Sequence, residues 1–193
     1  QGDIEKPLDN SLNQQPDMFL ESIILHNYRA YRGHNKTSFK PDIKNIFLVA
    51  GNNGFGKTTF LTSLVWCLYG KLMADVDDKF RRDINDAQGY KNYARQSLHK
   101  ELANAVNAYE VSLEERKQIV KHGYSSENEY IKEDSQYYVE IGLTDVFIPS
   151  IPCRTITIRR TYDYFLDIES VEVLIDGQAN ELAKEVGYDI FIN

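Results

Sequence analysis

Residues Gly51-Asn52-Asn53-Gly54-Phe55-Gly56-Lys57-Thr58 match the pattern G-x-x-x-x-G-K-[ST] at every fixed position. Glycines at Gly51, Gly54 and Gly56 let a backbone curl so that successive N–H groups point inward around an anion. A helix beginning near Lys57 adds the positive end of its dipole and its unpaired amides. In such a loop Lys57 reaches the β- and γ-phosphates as the catalytic cation, the Thr58 hydroxyl ligates Mg²⁺, and Thr59 donates to the α-phosphate. Asn52, Asn53 and Phe55 contribute loop backbone. The stretch therefore predicts a site for a nucleoside triphosphate, taken as ATP, with magnesium.

Turnover asks for more. A hydrolysing site of this kind needs a second acid at the end of another apolar strand, to hold Mg²⁺ and position water. After Thr59 no uninterrupted apolar strand ends in Asp. The nearest candidate, Ile141-Gly142-Leu143-Thr144-Asp145, is broken by Gly142 and Thr144. A Ser-Gly-Gly signature stretch is also missing. The expectation is a chain that holds ATP and does not turn it over alone.

The elements around the loop fit this chemistry. Met18–Tyr28 alternates apolar and polar residues as a strand does, Tyr31-Arg32-Gly33 signals a turn, and Asn35–Phe39 reads as a second short strand. Asn45–Ala50 is a continuous apolar run, expected as a buried parallel strand. Lys57–Tyr69 reads as a helix apolar on most faces, and so mostly buried, with Gly70 as its C-cap. From Lys71 to about Lys121 charged and amide residues dominate. Tyr93, Leu98, Leu102, Val106 and Tyr109 recur there at helical spacing, predicting one or two amphipathic surface helices. Glu127–Ser135 reads as loop. Gln136–Phe147, Cys153–Tyr162 and Ser170–Ile175 alternate with period two, predicting antiparallel strands; Asp176-Gly177 is a turn signal, and Ala179–Val186 a short helix.

The 193 residues suffice for one domain with an added subdomain, and 42% hydrophobic with 26% charged residues is ordinary for a soluble globular protein. No apolar run approaches the roughly 18 residues of a membrane span, so no membrane partner is expected. Gln1–Asp17 is polar, lacks the apolar core of a signal peptide, and is read as an extension before Met18. The two cysteines, Cys67 and Cys153, have no metal-ligand spacing and fit a reducing cytoplasm. His26, His34, His99 and His122 are scattered. A net charge of −7 argues weakly against a DNA-coating role, because phosphate neutralisation needs Lys and Arg. Lys79, Arg81 and Arg82 lie among Asp75, Asp77, Asp78 and Asp83, as on a mixed-charge helix face. Arg159 and Arg160 alternate across a strand, so at most one faces any given partner. Trp66 and Cys67 are assigned to the core.

The run Phe19–Gly70 resembles the N-terminal lobe of the Rad50/SMC-like ATPases, an ABC-type class acting in DNA repair and chromosome maintenance. Its members open with an Asn-Phe-Arg-type element, here Asn27-Tyr28-Arg29, followed by a short strand pair. They continue into a loop Gly-x-Asn-Gly-x-Gly-Lys-[Ser/Thr]-[Ser/Thr], here Gly51–Thr59. The helix ending Trp66-Cys67-Leu68-Tyr69-Gly70 is similar to that of proteins of DNA sulfur modification, or phosphorothioation. Thr155-Ile156-Thr157-Ile158-Arg159-Arg160 and the Val171–Gly177 hairpin resemble the antiparallel sheet of the same lobe. Phe55 departs from the family's small Ser or Val.

The resemblance implies an α/β P-loop head with a mixed sheet, an antiparallel subdomain over 136–177 and an inserted helical segment over 71–135, within a lobe spanning 18–193. It implies that Arg29 approaches the nucleotide phosphates. The second acid and the signature motif would lie beyond a coiled coil, in the C-terminal half of the polypeptide. ATP would be held between two heads in a homodimer, with DNA engaged through the full-length protein. Two other readings stay open: a small P-loop kinase or phosphotransferase, and a non-hydrolysing, nucleotide-dependent assembly module.

Overall fold

Alternating side chains build the sheet. In β1 (Phe19–Tyr28) the inward Ile23 and Leu25 are buried; in β3 (Gln136–Thr144) and β4 (Thr155–Asp163) Val139, Ile141, Ile156 and Ile158 are buried on the same face. With β2 (Tyr31–Ser38), β5 (Ile168–Ile175) and β6 (Gln178–Ala179) they form one sheet, in the order β2-β1-β3-β4-β5-β6. The structure is a computed structural model and describes residues 18–39, 48–51, 56–108, 136–146, 155–164 and 166–188.

The helix α1 (Lys57–Tyr69) crosses the inner face of the sheet. Trp66 and Cys67 are buried there, and Trp66 packs on Tyr28 and Tyr137 with ring centroids 5.6 and 5.2 Å apart. A 3-10 turn, Gly70–Leu72, leads into α2 (Met73–Val76), α3 (Asp78–Asp86), α4 (Tyr90–Arg95) and helical residues 100–108 (α5). Asp77 caps α3 by accepting from the Lys79 and Phe80 amides at 2.7 and 2.9 Å. The last helix, α6 (Glu181–Val186), is capped in the same way by Asn180. Asp176 and Gly177, both at positive φ, make the turn between β5 and β6.

Several expectations change. A mixed sheet was expected, yet every strand pairing among the described residues is antiparallel. Of the expected parallel strand, Asn45–Phe47 lie outside the described residues, while 48–50 are not in a strand and Leu48 is 90% exposed. A parallel strand needs a neighbour to exchange hydrogen bonds with, and none is described beside them. The helix α1 is buried on its sheet side only, since Leu61 (57%), Val65 and Tyr69 are exposed. The turn falls at Arg29-Ala30, so β2 begins at Tyr31. The middle segment holds short helices, and Tyr93, Ala94 and Val106 in them, with Leu98 between them, belong to the core rather than to a surface. Glu127–Ser135, Tyr109 and Cys153 lie outside the described residues. No helix among the described residues is long and apolar enough to cross a membrane.

Candidate functional site

Gly56 is the N-cap of α1 at φ +88°, and no side chain caps the helix start. Its first turn carries no acidic residue, so no carboxylate of that turn offsets the positive end of the helix. The Lys57 ammonium turns back and donates to the Gly51 carbonyl, across the mouth of the loop. Thr58 is exposed beside it, and Thr62 ties the helix start together by donating to the Thr58 and Thr59 carbonyls at 2.9 and 3.1 Å. Asn52, Asn53, Gly54 and Phe55 lie outside the described residues. These features suit a triphosphate: a bare helix terminus, a movable ammonium, and an exposed hydroxyl able to ligate magnesium.

Tyr31, which the sequence placed in a turn, stands against the loop. Its hydroxyl donates to the Gly56 carbonyl at 3.4 Å, and a Cβ on Gly56 would lie 3.0 Å from that oxygen. Nothing in the sequence marks this contact, because the partners are far apart along the chain.

Arg29 reaches the same place from β1. Asn27 and Arg29 both adopt positive φ, at +51° and +49°, where the strand ends in an irregular register. Asn27 accepts from the Gly33 amide at 2.8 Å, and the Arg29 amide donates to the Ser97 carbonyl at 2.7 Å. With this backbone fixed, the Arg29 guanidinium lies 5.8 Å from the centroid of the Tyr28 ring and 3.5 Å from the Tyr93 hydroxyl. Its Nε is buried and unpartnered. Burial raises the phenol pKa of Tyr93, and the Arg29 charge opposes the shift.

A cavity of about 310 Å³ is lined by Arg29, Thr58 and Trp66 with Lys79, Asp83 and Tyr93. It brings Arg29 beside Thr58, a neighbourhood that the sequence alone could not place. It also draws α3 to the site, which composition had put on a plain charged face. On that helix Arg81 is occupied by the Ala74 carbonyl at 2.8 Å and by Asp78 at 3.6 Å. Arg82 donates to the Asp78 carbonyl at 3.3 Å. No group of three or more His, Cys, Asp or Glu that could hold a metal occurs among the described residues.

A larger cavity, about 550 Å³, lies at the C-terminal end of α1 between Lys71, Tyr90, Arg160 and Glu169. The two adjacent arginines divide as alternation requires. Arg159 lies on the outer face, pairing with Glu140 at 2.6 Å over the Tyr138 ring, and Arg160 is buried on the inner face.

A protein-family model described as AAA domain matches residues 22–175, from β1 through the end of β5. No curated protein matches the chain.

Proposed function

The chain belongs to the AAA-domain family, and from that premise we propose that it is the ATP-binding lobe of an ATPase head of the Rad50/SMC-like, ABC-type class. The observation that carries this is the uncapped, acid-free start of α1 with the Lys57 ammonium folded over the Gly51 carbonyl. Lys57 exchanges that carbonyl for the β- and γ-phosphates, and the amides of the first turn face the same anion. Arg29 approaches through the cavity that it lines together with Thr58. Thr58 would be the chain's own ligand for magnesium, which when bound would offset the charge of the phosphates.

The exposed stripe of Leu61, Val65, Tyr69 and Leu72, with Leu48 near the loop, supports a second half that covers it. We assign that role to the C-terminal half of the same head, which would bring the missing acid and signature motif. Two such heads would then close head to head on ATP, with DNA engaged through the whole protein. The finer assignment, to a protein like the DNA sulfur modification protein DndD with a role in phosphorothioate modification or a related repair or defence process, rests on the Trp66-Cys67-Leu68-Tyr69-Gly70 ending.

Calorimetric binding of Mg-ATP to this chain, beside Lys57→Ala and with a parallel turnover assay, tests the reading. Saturable binding that weakens at least about tenfold in Lys57→Ala, without turnover, is expected. Turnover by the isolated chain would favour a small phosphotransferase instead. Equal binding by both chains would remove Lys57 from the site.

A further inference from the structure

The far end of the phosphate-binding helix is held by a buried charge. Arg160, 1% exposed on the inner face of β4, donates from Nε to the Cys67 carbonyl at 3.0 Å. It donates from one Nη to the Leu68 carbonyl at 3.3 Å and pairs through the other with Glu169 at 2.5 Å. The guanidinium thus meets the negative end of the α1 dipole, where carbonyls have no helical partner. Glu169 also accepts from the Tyr90 hydroxyl, which in turn accepts from Trp66 Nε1 at 3.2 Å. Burial and the Glu169 charge both raise the Tyr90 pKa, so this hydroxyl stays a donor.

Tyr90 opens α4, and the other end of α4 is tied to the Arg29 element. Ala94 accepts from the buried Tyr137 hydroxyl at 2.6 Å. The segment that follows returns to β1: the Ser97 carbonyl accepts from the Arg29 amide at 2.7 Å, and the His99 amide donates to the Asn27 carbonyl at 2.8 Å. Tyr28 and Leu98 pair as an isolated bridge between those two bonds. One short helix is therefore fixed to α1 at its start and to the backbone of Arg29 at its end.

We infer that Arg160, Glu169 and Tyr90 are positioning residues that set the register of α1 against Arg29, so that Lys57 and Arg29 converge on the same terminal phosphate. This rests on the reading of Lys57 and Arg29 as phosphate ligands. A merely structural network would lower the melting temperature and leave the preference among nucleotides alone. A positioning network also changes the preference for ATP over ADP, because only the terminal phosphate needs both cations.

The test measures the affinities of Mg-ATP and Mg-ADP for the unaltered chain, Tyr90→Phe, Arg160→Lys, Arg29→Ala and the Tyr90→Phe/Arg29→Ala pair. Tyr90→Phe removes a single hydroxyl and decides the matter should Arg160→Lys not fold. In folded Tyr90→Phe the ATP affinity is expected to fall about three- to tenfold, with ADP little changed. Adding Tyr90→Phe to Arg29→Ala should then cost nothing further. An unchanged ATP-to-ADP ratio in Tyr90→Phe, or additive losses in the pair, overturns the inference while leaving the site standing. Failure of the unaltered chain to bind ATP, or wild-type binding by Arg29→Ala, overturns the reading of the site and this inference together.

Discussion

At the scale of single residues, the phosphate loop turns on Gly56. Its φ of +88° costs a side chain roughly 1–2 kcal/mol, and a Cβ there also presses on the Tyr31 ring and hydroxyl. Gly56→Ala is therefore expected to weaken Mg-ATP binding by about tenfold or more, as the loop shifts away from Lys57. The fold should survive, because Gly56 lies at the rim of the core; calorimetry beside a thermal melt separates the two effects. A chain that keeps its ATP affinity with alanine here would show that the Gly56 backbone does not set the position of Lys57. Gly56 was legible because its type and spacing are the motif. Tyr31 was not, since local sequence does not say which strand end faces the loop. Arg29 became a candidate only through a family resemblance; on its own, an arginine after a strand reads as a solvated charge. The Arg159-Arg160 pair was half legible. Period two separates the two side chains, but the burial of Arg160 depends on carbonyls at the end of a helix that no spacing rule brings near.

Among elements, α1 runs over the residues its sequence predicts, Lys57–Tyr69, because glycines bound it and its interior lacks Pro and Gly. Gly70 does more than end it. At φ +47° and ψ −131°, it sits where an added Cβ would run into the Glu169 carboxylate and the Arg160 guanidinium. Gly70→Ala is expected to cost about 2–4 kcal/mol, combining backbone strain with disruption of a buried ion pair. Chemical denaturation reads the loss, and a cost below about 0.5 kcal/mol, typical of surface changes, would show the pair to be loosely held. The segment after α1 departs from its helical spacing for a physical reason. Tyr93, Leu98 and Val106 share a helical spacing but belong to α4, a backbone bridge to Tyr28, and α5. The break at Gly89 falls at a positive φ of +121°, and the one at Ser97–His99 is set by bonds to Asn27 and Arg29 at the end of β1, which override the local period. The apolar run at 45–50 is described only at 48–50, which are not in a strand. Its composition suits a strand buried on both faces, and what it would be buried against is not among the described residues.

For the molecule as a whole, alternation in the later strands made the antiparallel sheet legible, whereas the outer side of α1 reads as buried from its composition and is exposed at Leu61, Val65 and Tyr69. The core that does form carries an unusual load of protonated acids. Burial lifts the Tyr28 phenol from 10.0 to about 12 and the Cys67 thiol from 9.0 to about 12, with Arg29 and Arg160 opposing the respective shifts. Burial raises Tyr137 well above its ordinary value as well. In each case the folded pKa lies above the unfolded one, so the native state holds protons that the unfolded state has released. The stability linked to these groups is complete below about pH 9 and drains away as pH rises toward 12, by about 1.4 kcal/mol per pH unit for each group in its window. The thiol acts first, since its unfolded value is the lower, and the phenols follow. The melting temperature should therefore hold level up to about pH 9 and then fall with steepening slope. Tyrosinate absorbance from the buried phenols should appear together with unfolding instead of at the ordinary phenol pKa. Replacing Cys67 by Ala would move the onset of the decline from near the thiol's ordinary value to that of the phenols. A melting temperature that stays level through pH 11, or phenols that all titrate while the circular dichroism is native, would mean that Tyr28 and Tyr137 are not sealed beneath Trp66 as the ring contacts describe.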